Sequence, residues 1–531
     1  MAAGRKELSE TQAETIAFLS EAATHGGVPH VERIETHGNI IFLAGPTAWK
    51  IKRAVRFPYM DFSTVELRHR ACLEEMAVNA RLAPALYIGC VPITREPSGH
   101  LAIAGDGVAV EWAVKMHRFA QEDLLSARAA VGPIPQALAT AVADAVHASH
   151  RGAQIHAEAR GADRIGAVLD NLSRALRDLG SLDAGLVESF ARGGARLHAR
   201  AGALLDRRAQ QGCVRRCHGD LHAANIVIWN GQPLLYDAIE FDPDLATIDT
   251  LYDLSFLLMD LDRRGQRQAA NDILNRYLWL GRDDLDLDGL AALPLFMGLR
   301  AGIRALVTAE RAQQQPEAAA GEEQGRSAAL LRAAAGYLVE TPPVLIAVAG
   351  LSGTGKSTLA RRLSPWLGPA PGAVHLRSDL IRKGIAGVGA TERLPAESYT
   401  PEASVQVYGE LARQARLVLA AGRSVVADAV CARPHEREML RRLAQACGVA
   451  FSGLWLAAPP EVLLARVAQR THDASDATAS VVRTQLDWQT QVPGEGWTPV
   501  DAGGTPEATL EAARGVLGGL ISHTDTAGSL P

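Results

Sequence analysis

Three polar residues between Cys217 and Pro243 have the types and spacing that phosphoryl transfer requires. Asp220 ends the triplet His-Gly-Asp, Asn225 follows five residues later, and Asp237 follows after twelve more. Transfer from ATP to a hydroxyl needs a carboxylate that accepts the hydroxyl proton, and an amide oxygen and a second carboxylate that hold Mg²⁺ on the phosphates. We therefore interpret Asp220 as the base and Asn225 and Asp237 as metal ligands.

A polar turn is the alternative explanation for the same residues. In a turn, Asp220 and Asn225 would hydrogen-bond their own backbone, and Asp237 would cap a strand. The apolar strand pattern at 226–229 separates the residues in the order that a catalytic loop and a metal-binding loop require. This order favours the phosphoryl-transfer interpretation.

A second phosphate-binding pattern follows the continuous apolar run Val344–Ala349. Residues 350–358 read GLSGTGKST and lead into a helical pattern at Leu359. This is GxxxxGK[ST] between a strand and a helix, where glycines let backbone N–H groups surround phosphates at a helix N-terminus. Lys356 is expected to reach the β/γ oxygens and Ser357 to ligate Mg²⁺. The predicted nucleotide-binding residues are Gly350, Ser352, Gly353, Thr354, Gly355, Lys356, Ser357 and Thr358.

Two further features fit a nucleotide site in the C-terminal part. Asp428 ends a predicted strand at 424–428, and its carboxylate is suited to a Mg²⁺-bound water. Arg466 and Arg470 stand four residues apart on a predicted helix at 461–470, so both lie on one face. We expect these arginines to close over the phosphates as a lid, although a solvated helix face is the alternative.

These motifs resemble known families. HGDLHAANI at 218–226 and LLYDAIEFDP at 234–243 resemble the aminoglycoside phosphotransferase and choline kinase branch of the kinase-like fold. With the P-loop, the whole chain resembles a bacterial two-domain family of an aminoglycoside phosphotransferase domain and an AAA-type ATP-binding P-loop domain. The C-terminal part resembles gluconate kinase, polynucleotide kinase, chloramphenicol phosphotransferase and zeta-toxin relatives. That resemblance implies that Asp379, at the end of a predicted strand at 374–379, activates the acceptor hydroxyl.

A small β-lobe is predicted before the first motif, from strand and turn patterns at 31–52. Lys50 and Lys52 share one face of its third strand. One of them is expected to contact the α/β-phosphates; we prefer Lys50, with Lys52 in reserve, and two solvated lysines on an edge strand are the alternative. The expected ion-pair partner is a Glu on the following helix, and Glu75 matches the resembled family's pattern better than Glu74.

The resemblance also assigns a structural role to the segment after the first motif. In the resembled family an Asp here holds the catalytic loop and does not touch substrate. We carry this role over to Asp253 and Asp249 as scaffolding residues.

Composition restricts the class of protein. The chain has 531 residues, 47% hydrophobic and 21% charged, with a net charge of −5 and six scattered cysteines. A nucleic-acid coat protein would be basic, so nucleic acid is an improbable partner, with the C-terminal domain as the remaining possibility. The sequence shows no signal-peptide or membrane-span pattern. We therefore expect a cytoplasmic protein without membrane contact and with reduced thiols.

The predicted fold class joins an α+β kinase-like bilobal domain, with a small β-lobe and a large helical lobe, to an α/β P-loop domain with a mostly parallel sheet. Predicted bounds are 1–310 for the kinase-like domain, 311–341 for a linker and connecting helix, 342–521 for the P-loop domain and 522–531 for a disordered tail. Within the linker, residues 313–325 are polar and low in complexity, which indicates an exposed connector.

These features predict an ATP- and Mg²⁺-dependent phosphotransferase. The acceptor is expected to be a hydroxyl of a small molecule whose identity the sequence does not encode, and the oligomeric state is equally open. Two alternatives remain. The C-terminal domain could be a kinase of nucleic-acid 5′-hydroxyl ends, or the protein could be a nucleotide-gated regulatory or interaction protein. Both Asp220 and Asp379 argue against the last alternative, because binding of ATP alone needs neither.

Overall fold

The computed structural model describes residues 10–57, 60–157, 160–314, 317–469, 474–488 and 494–520. The chain divides into two compact units. The first unit comprises Met1–Gly132, Ala148–His156 and Gly212–Asp253, and the second comprises Pro133–His147, Ala157–Gln211 and Leu254–Pro531. The second unit thus groups helical segments with the P-loop residues, whereas the sequence-based domains are continuous segments whose bounds stay a prediction. The predicted tail at 522–531 lies outside the described residues.

The first unit contains a six-stranded antiparallel sheet. Its elements and a small neighbouring hairpin are β1 (Val31–Glu35), β2 (Asn39–Ala44), β3 (Thr47–Lys52), β4 (Arg56–Phe57), β5 (Met60–Asp61), β6 (Tyr87–Arg95), β7 (Leu101–Ile103) and β8 (Val108–His117). The order across the sheet is β1-β2-β3-β8-β6-β7, and β4 pairs with β5. This sheet matches the small β-lobe expected at 31–52.

Two short antiparallel pairs carry the first motif. They are formed by β9 (Val214–Arg216), β10 (Ile226–Trp229), β11 (Gln232–Leu235) and β12 (Thr247–Asp249). Strand β10 pairs with β11, and β12 pairs with β9. The loops that leave β9 and β11 hold Asp220 and Asp237, and Asn225 lies immediately before β10.

The second unit contains a five-stranded parallel sheet. Its strands are β13 (Val344–Gly350), β14 (Val374–Arg377), β15 (Val425–Asp428), β16 (Ala450–Ala457) and β17 (Trp497–Asp501), in the order β14-β15-β13-β16-β17. Every residue of β13 is buried, as expected for a central parallel strand covered on both faces. Together with the antiparallel small lobe, this sheet confirms the predicted fold class.

The remaining elements are helices. They are α1 (Glu10–Ser20), α2 (Val65–Leu82), α3 (Leu125–Val131), α4 (Gln136–Arg151), α5 (Gly161–Leu179), α6 (Ala184–Gln210), α7 (Pro243–Ala246), α8 (Thr250–Arg263), α9 (Arg267–Gly281), α10 (Asp284–Gly289), α11 (Leu293–Gln313), α12 (Glu317–Tyr337), α13 (Lys356–Leu363), α14 (Ser378–Ile385), α15 (Pro401–Ala420), α16 (Pro434–Cys447), α17 (Pro460–Ala468), α18 (Ala479–Leu486) and α19 (Pro506–Leu517). Within the described ranges, none of the helices combines the length and apolar character needed to cross a membrane.

Alternation along β3 explains how the small lobe presents its lysines. Trp49 and Ile51 pack in a cluster with Leu19 of α1. The alternate residue Ala48 packs on the other face, in a cluster with Cys72 of α2. Because side chains alternate along a strand, residues 50 and 52 share the α2 side with Ala48. Both predicted lysines therefore face the helix that carries the predicted glutamate.

Three local predictions differ from the structure. The expected connector at 313–325 is helical from Glu317, because its Ala, Glu and Gln residues are strong helix formers despite their low complexity. Strand β14 ends at Arg377, and Asp379 lies in the first turn of α14, not at a strand end. Strand β17 was not predicted, since Pro499 interrupts a short and only partly apolar segment.

Candidate functional sites

The first unit brings both lysines of β3 to one buried glutamate. Lys50 Nζ lies 2.9 Å from Glu75 Oε1, and Lys52 Nζ lies 2.7 Å from Glu75 Oε2. Glu75 is completely buried, while Lys50 and Lys52 are 6% and 1% exposed. Lys50 Nζ also lies 2.6 Å from Asp237 Oδ1, and Lys52 pairs with Glu240. The structure therefore distinguishes Lys50, which the sequence analysis preferred, from Lys52. Lys50 is the lysine that contacts the predicted metal ligand Asp237.

The charges of this cluster compensate each other. Burial acts against the charged form of Lys50, but Asp237 and Glu75 outweigh it and hold the lysine pKa well above its ordinary value. Burial likewise acts to raise the pKa of Glu75, and Lys50 and Lys52 overcome it and lower this pKa to about 2. Lys50 and Glu75 therefore stay ionised at neutral pH together with Lys52. The Lys50 side chain can thus meet an anion as a charged ammonium group.

A buried carboxylate holds the loop that carries Asp220. The backbone N–H groups of His218 and Gly219 donate to Asp253 Oδ2 and Oδ1 over 3.1 and 2.9 Å. His150 Nε2 lies 3.1 Å from the same carboxylate, which is fully buried. These are the contacts of a scaffolding residue. Asp249 accepts the backbone N–H of residue 251 over 2.8 Å at the start of α8.

The predicted base and metal ligands lie on connected loops. Asn225 Nδ2 donates to the backbone oxygen of Asp220 over 2.9 Å and to Asp220 Oδ2 over 3.0 Å. The backbone N–H of Tyr236, next to Asp237, donates to Asn225 O over 3.0 Å. Asp237 has φ = +60°, a left-handed conformation that costs free energy for a residue with a Cβ and that Asp adopts more readily than most residues.

The donor set of these loops fits Mg²⁺. Because the amide nitrogen of Asn225 is directed to Asp220, the amide oxygen is left as a ligand. The side chains of Asp220 and Asp237 are 42% and 45% exposed, so both carboxylates can be reached from solvent. Hard oxygen donors of this kind suit Mg²⁺, and the residues that would hold it are Asn225 and Asp237.

In the second unit, the P-loop glycines occupy positions that only glycine fits. Gly350 and Gly353 have φ values of +141° and +91°, and a Cβ on them would lie 2.5 Å from Leu456 O and 2.7 Å from Leu463 O. Lys356 Nζ donates to Leu351 O over 2.9 Å, so its ammonium lies against the loop that it is predicted to share with phosphate. The predicted strand, loop and helix are present as β13, residues 351–355 and α13.

Asp428 lies at the end of β15, opposite the end of β14 in the parallel register Arg377↔Asp428. His375 Nε2 is 3.2 Å and Arg377 Nε is 3.7 Å from Asp428 Oδ2. Burial acts to raise the pKa of Asp428, but His375, Arg377 and Lys356 lower it to about 2. Burial raises the pKa of Asp379, where Arg377 acts in the opposite direction and Asp428 adds to the rise. Neither His375 nor Arg377 was predicted, although their alternation along β14 places both on the face toward Asp428.

Arg466, one of the two predicted lid arginines, contacts backbone carbonyl oxygens that follow the parallel sheet in sequence. Arg466 Nη1 and Nη2 donate to the carbonyl oxygens of Ala502 and Gly504, each over 2.7 Å. These partners lie 36 and 38 residues away in sequence, and helical spacing gives no sign of them, so the lid role of Arg466 stays a prediction. Arg470 lies outside the described residues.

Two polar residues that sequence reasoning left without a role make defined contacts. Gln485 Oε1 accepts the backbone N–H of Ser352 in the P-loop over 2.7 Å. Asp476 contacts Lys383 Nζ at 3.1 Å and accepts hydrogen bonds from the Tyr399 hydroxyl and the Leu394 N–H over 2.6 and 3.1 Å. The sequence signal for Asp476 was a polar turn at 473–477, which by itself indicates no partner.

Comparison with known proteins identifies a domain in the C-terminal part of the chain and a relative over most of its length. A family model described as an AAA domain matches residues 345–492. Over most of its length, the chain is similar to Rv2004c of Mycobacterium tuberculosis, with 30% identity over 484 residues, 87% of this chain and 91% of that protein.

Solved structures match each part separately. A choline/ethanolamine kinase family protein from Mesorhizobium loti is similar over 62% of this chain and 99% of its own, with 14% identity and a TM-score of 0.35. A gluconokinase from Sinorhizobium meliloti is similar over 34% of this chain and 95% of its own, with 22% identity and a TM-score of 0.26. The chain therefore belongs to the family of the mycobacterial protein Rv2004c, and its residues 345–492 match an AAA domain.

Proposed function

We propose that this protein is a cytoplasmic, ATP-dependent phosphotransferase with two nucleotide sites, and that its first site phosphorylates a hydroxyl of a small molecule. The observation that carries this proposal is the position of Lys50 Nζ, in contact with both Glu75 and Asp237. These partners are 25 and 187 residues away in sequence. A structural lysine needs one counterion, whereas a second, half-exposed carboxylate fits a lysine that shares its phosphate site with a metal ligand.

The side chains of the first unit divide the reaction among them. Lys50, oriented by Glu75, donates to phosphate oxygens of ATP. Asn225 and Asp237 would hold Mg²⁺, which when bound neutralises charge on the triphosphate. Asp220 orients the acceptor hydroxyl and accepts its proton, and its 42% exposed side chain leaves room for the acceptor to approach.

The P-loop site uses a different set of groups. Backbone N–H groups of 350–357 surround the phosphates at the start of α13, and Lys356 exchanges its contact with Leu351 O for phosphate oxygen. Ser357 and Asp428 would hold Mg²⁺ there. Asp379 is the group that accepts the proton of an acceptor hydroxyl.

Equilibrium binding of a non-hydrolysable ATP analogue tests the two sites. Wild-type protein is expected to bind two analogues per chain, and Lys50→Met and Lys356→Met are each expected to bind one. Exposed Arg326→Met on α12 provides a matched control that keeps both. A wild-type stoichiometry of one, or loss of all binding in either single variant, contradicts the proposal.

Transfer chemistry at the first site is tested with Asp220→Asn in the Lys356→Met background. Labelled ATP and a metabolite extract should give a labelled small molecule with Lys356→Met alone, and at least about 100-fold less after Asp220→Asn, because a general base typically contributes roughly 10²–10⁴ in rate. Asp178→Asn, at an exposed position of α5, is the matched control. Equal labelling with Asp220→Asn and its control would remove Asp220 from the mechanism.

A further inference from the structure

A cavity of about 980 Å³ lies beside the P-loop in the second unit. Ser357 and Thr358 of α13, and His375 and Arg377 of β14, line one side of it. Residues of α9, a helix of the segment that precedes the P-loop part of the chain, also line it. The volume is that of a small-molecule site, and the cavity reaches the predicted metal ligand Ser357.

Helix α9 is hydrogen-bonded along the edge of the parallel sheet. Strand β14 is the terminal strand, so one side of its backbone has no neighbouring strand among the described residues. Asn275 Oδ1 accepts the backbone N–H of His375 over 2.7 Å, and Asn271 Nδ2 donates to the carbonyls of Pro371 and Ala373 over 3.2 and 3.0 Å. Because 271 and 275 are one helical turn apart, α9 presents both amides to the strand.

Helix α9 also contacts the helices that precede and follow β14 in sequence. Asp272 makes a two-point ion pair with Arg361 of α13, with Oδ1 and Oδ2 at 2.9 and 2.5 Å. Trp279 Nε1 lies 3.5 Å from Leu380 O of α14, and Arg282 Nη2 donates to Val388 O over 2.8 Å. Contacts from residue 272 to residue 282 therefore hold α9 against α13 and against the segment that follows β14.

The cavity is polar but its charges are compensated. Among the described residues, five arginines line it. Four of them have carboxylate partners: Arg276 with Asp144, Arg361 with Asp272, Arg377 with Asp428, and Arg413 with Asp284 and Glu410. The fifth, Arg282, donates to backbone carbonyls. Gln136, Thr140 and Gln414 add neutral donors and acceptors.

The pairing of charged side chains in the cavity favours one chemical class of acceptor over others. A phosphorylated acceptor would need several arginines without carboxylate partners, whereas Arg282 is the one such arginine among the described lining residues, and a polycation would need a surplus of carboxylates. A site of paired charges, amides and a hydroxyl instead offers many hydrogen bonds without net charge, which suits a molecule with several hydroxyl groups.

We propose that this cavity is the acceptor site of the P-loop domain, that α9 supplies part of its wall, and that it takes a neutral polyhydroxylated small molecule. The inference rests on the proposed phosphotransfer at the P-loop. One acceptor hydroxyl oxygen bonds to the γ-phosphorus of ATP while the bond from that phosphorus to the β,γ-bridging oxygen breaks. ADP leaves, and the hydroxyl proton passes to the carboxylate of Asp379, which stands in sequence between the lining residues Arg377 and Leu380.

The test uses the full chain carrying Asp220→Asn, which silences the first site. Transfer of labelled γ-phosphate is measured to myo-inositol, D-glucose and ribitol, with glucose 6-phosphate and spermidine as charged counterparts. We expect transfer to at least one neutral compound and to neither charged one. Transfer to a charged compound, or to none of the five while the P-loop still hydrolyses ATP, overturns the proposed acceptor class.

Two substitutions, one that enlarges the cavity and one that fills it, test whether the residues lining the cavity bind the acceptor. Trp279→Ala enlarges the cavity, and Gln136→Trp fills it from an exposed position of α4. Each is expected to raise the KM of the neutral acceptor at least about tenfold and to change the KM of ATP less than about twofold. Gln210→Trp, the same change at an exposed position of α6 outside the cavity, should leave both constants unchanged.

The outcomes separate the two levels of inference. If adding Lys356→Met to the Asp220→Asn protein leaves ATP binding at the P-loop intact, the proposed function of the P-loop fails. If Lys356→Met abolishes that binding but Gln136→Trp and Trp279→Ala leave the acceptor KM unchanged, only the assignment of the cavity fails. Gln136→Trp is at the surface and leaves the core intact, so it decides the question even if Trp279→Ala does not fold.

Discussion

The two candidate nucleotide sites hold their lysines in opposite ways. Lys50 in the first unit is buried and contacts carboxylates 25 and 187 residues away in sequence. Lys356 in the second unit donates to a backbone carbonyl only five residues away. The first site is therefore a product of tertiary folding, whereas the P-loop is a product of local backbone geometry. Damage to the first site should cost stability, and damage to the P-loop should cost mainly affinity.

The physical reason is the cost of burying charge. A buried ion that loses its partner destabilises a protein by several kcal/mol, because it can neither be solvated nor easily neutralised. Lys50, Lys52 and Glu75 form such a buried cluster at the first site. In the second unit a comparable buried lysine, Lys383, pairs with Asp476, and neither residue belongs to the P-loop motif.

The largest effect is expected from Asp253→Ala in the first unit. The change removes the acceptor for the N–H groups of His218 and Gly219 and the partner of His150, all in a fully buried setting. We expect a loss of about 4 kcal/mol in local stability around residues 214–225. Hydrogen–deuterium exchange of that segment measures this loss. Exposed Asp178→Ala is the control.

Nucleotide binding separates this effect from general misfolding. Asp253→Ala should lose analogue binding at the first site and keep it at the P-loop, giving one bound analogue per chain. Loss of analogue binding at both sites would show that damage to the first unit also disrupts the P-loop. The contrast between the two lysine sites would then fail.

The next effect is expected from Glu75→Gln, which leaves Lys50 and Lys52 without their shared counterion. Stability at pH 7 should fall by about 3 kcal/mol. The pKa of Glu75 is lowered from its ordinary value of 4.5 to about 2 in the folded chain. A depressed folded-state pKa gives stability that is present above about pH 4.5 and is lost as the pH falls toward 2.

The pH dependence of stability therefore distinguishes Glu75→Gln from wild type. Exchange rates of residues 47–52 in wild type and Glu75→Gln, compared at about pH 7, 4 and 2.5 after correction for intrinsic exchange, should begin to converge below about pH 4.5 and be similar near about pH 2.5. Glu74→Gln, at the neighbouring exposed position, should match wild type throughout. A gap that stays constant down to about pH 2.5 would mean that Glu75 is not the ionised partner of the lysines.

The sequence predicts well what is local and poorly what depends on distant partners. The P-loop could be predicted because its strand, glycines, lysine and helix are contiguous. The Lys50–Glu75 pair could be predicted because strand alternation gives the face of Lys50 and the resembled family supplies the helix. The partner of Lys52, Glu240, and the carbonyl partners of Arg466 were missed because no local periodicity encodes them. The docking of α9 on β14 was missed for the same reason, since its two asparagines read as ordinary polar residues of a helix.

A smaller effect is expected from Asp476→Ala in the second unit. Lys383, with no exposed surface, loses its carboxylate, and Tyr399 and Leu394 lose an acceptor. We expect a loss of about 2 kcal/mol, because Asp476 is itself partly solvated and Lys383 keeps a backbone acceptor, Glu392 O. Faster exchange confined to residues 386–400, with the analogue affinity of the P-loop within about threefold of wild type, would support the separation of buried charge from the nucleotide site. A large fall in that affinity would contradict it.

The smallest effect is expected from Gln485→Ala, which removes one hydrogen-bond partner of the P-loop and no charge. Gln485 Oε1 accepts the N–H of Ser352 over 2.7 Å in a buried setting. A neutral hydrogen bond contributes about 1 kcal/mol, so analogue affinity at the P-loop should fall about fivefold with little change in stability. Gln485→Glu keeps an acceptor oxygen but adds a negative charge beside the phosphates, so it should bind less well than the alanine variant. If alanine and glutamate bind alike, the side chain does not face the nucleotide, and the local backbone of the P-loop alone sets its affinity.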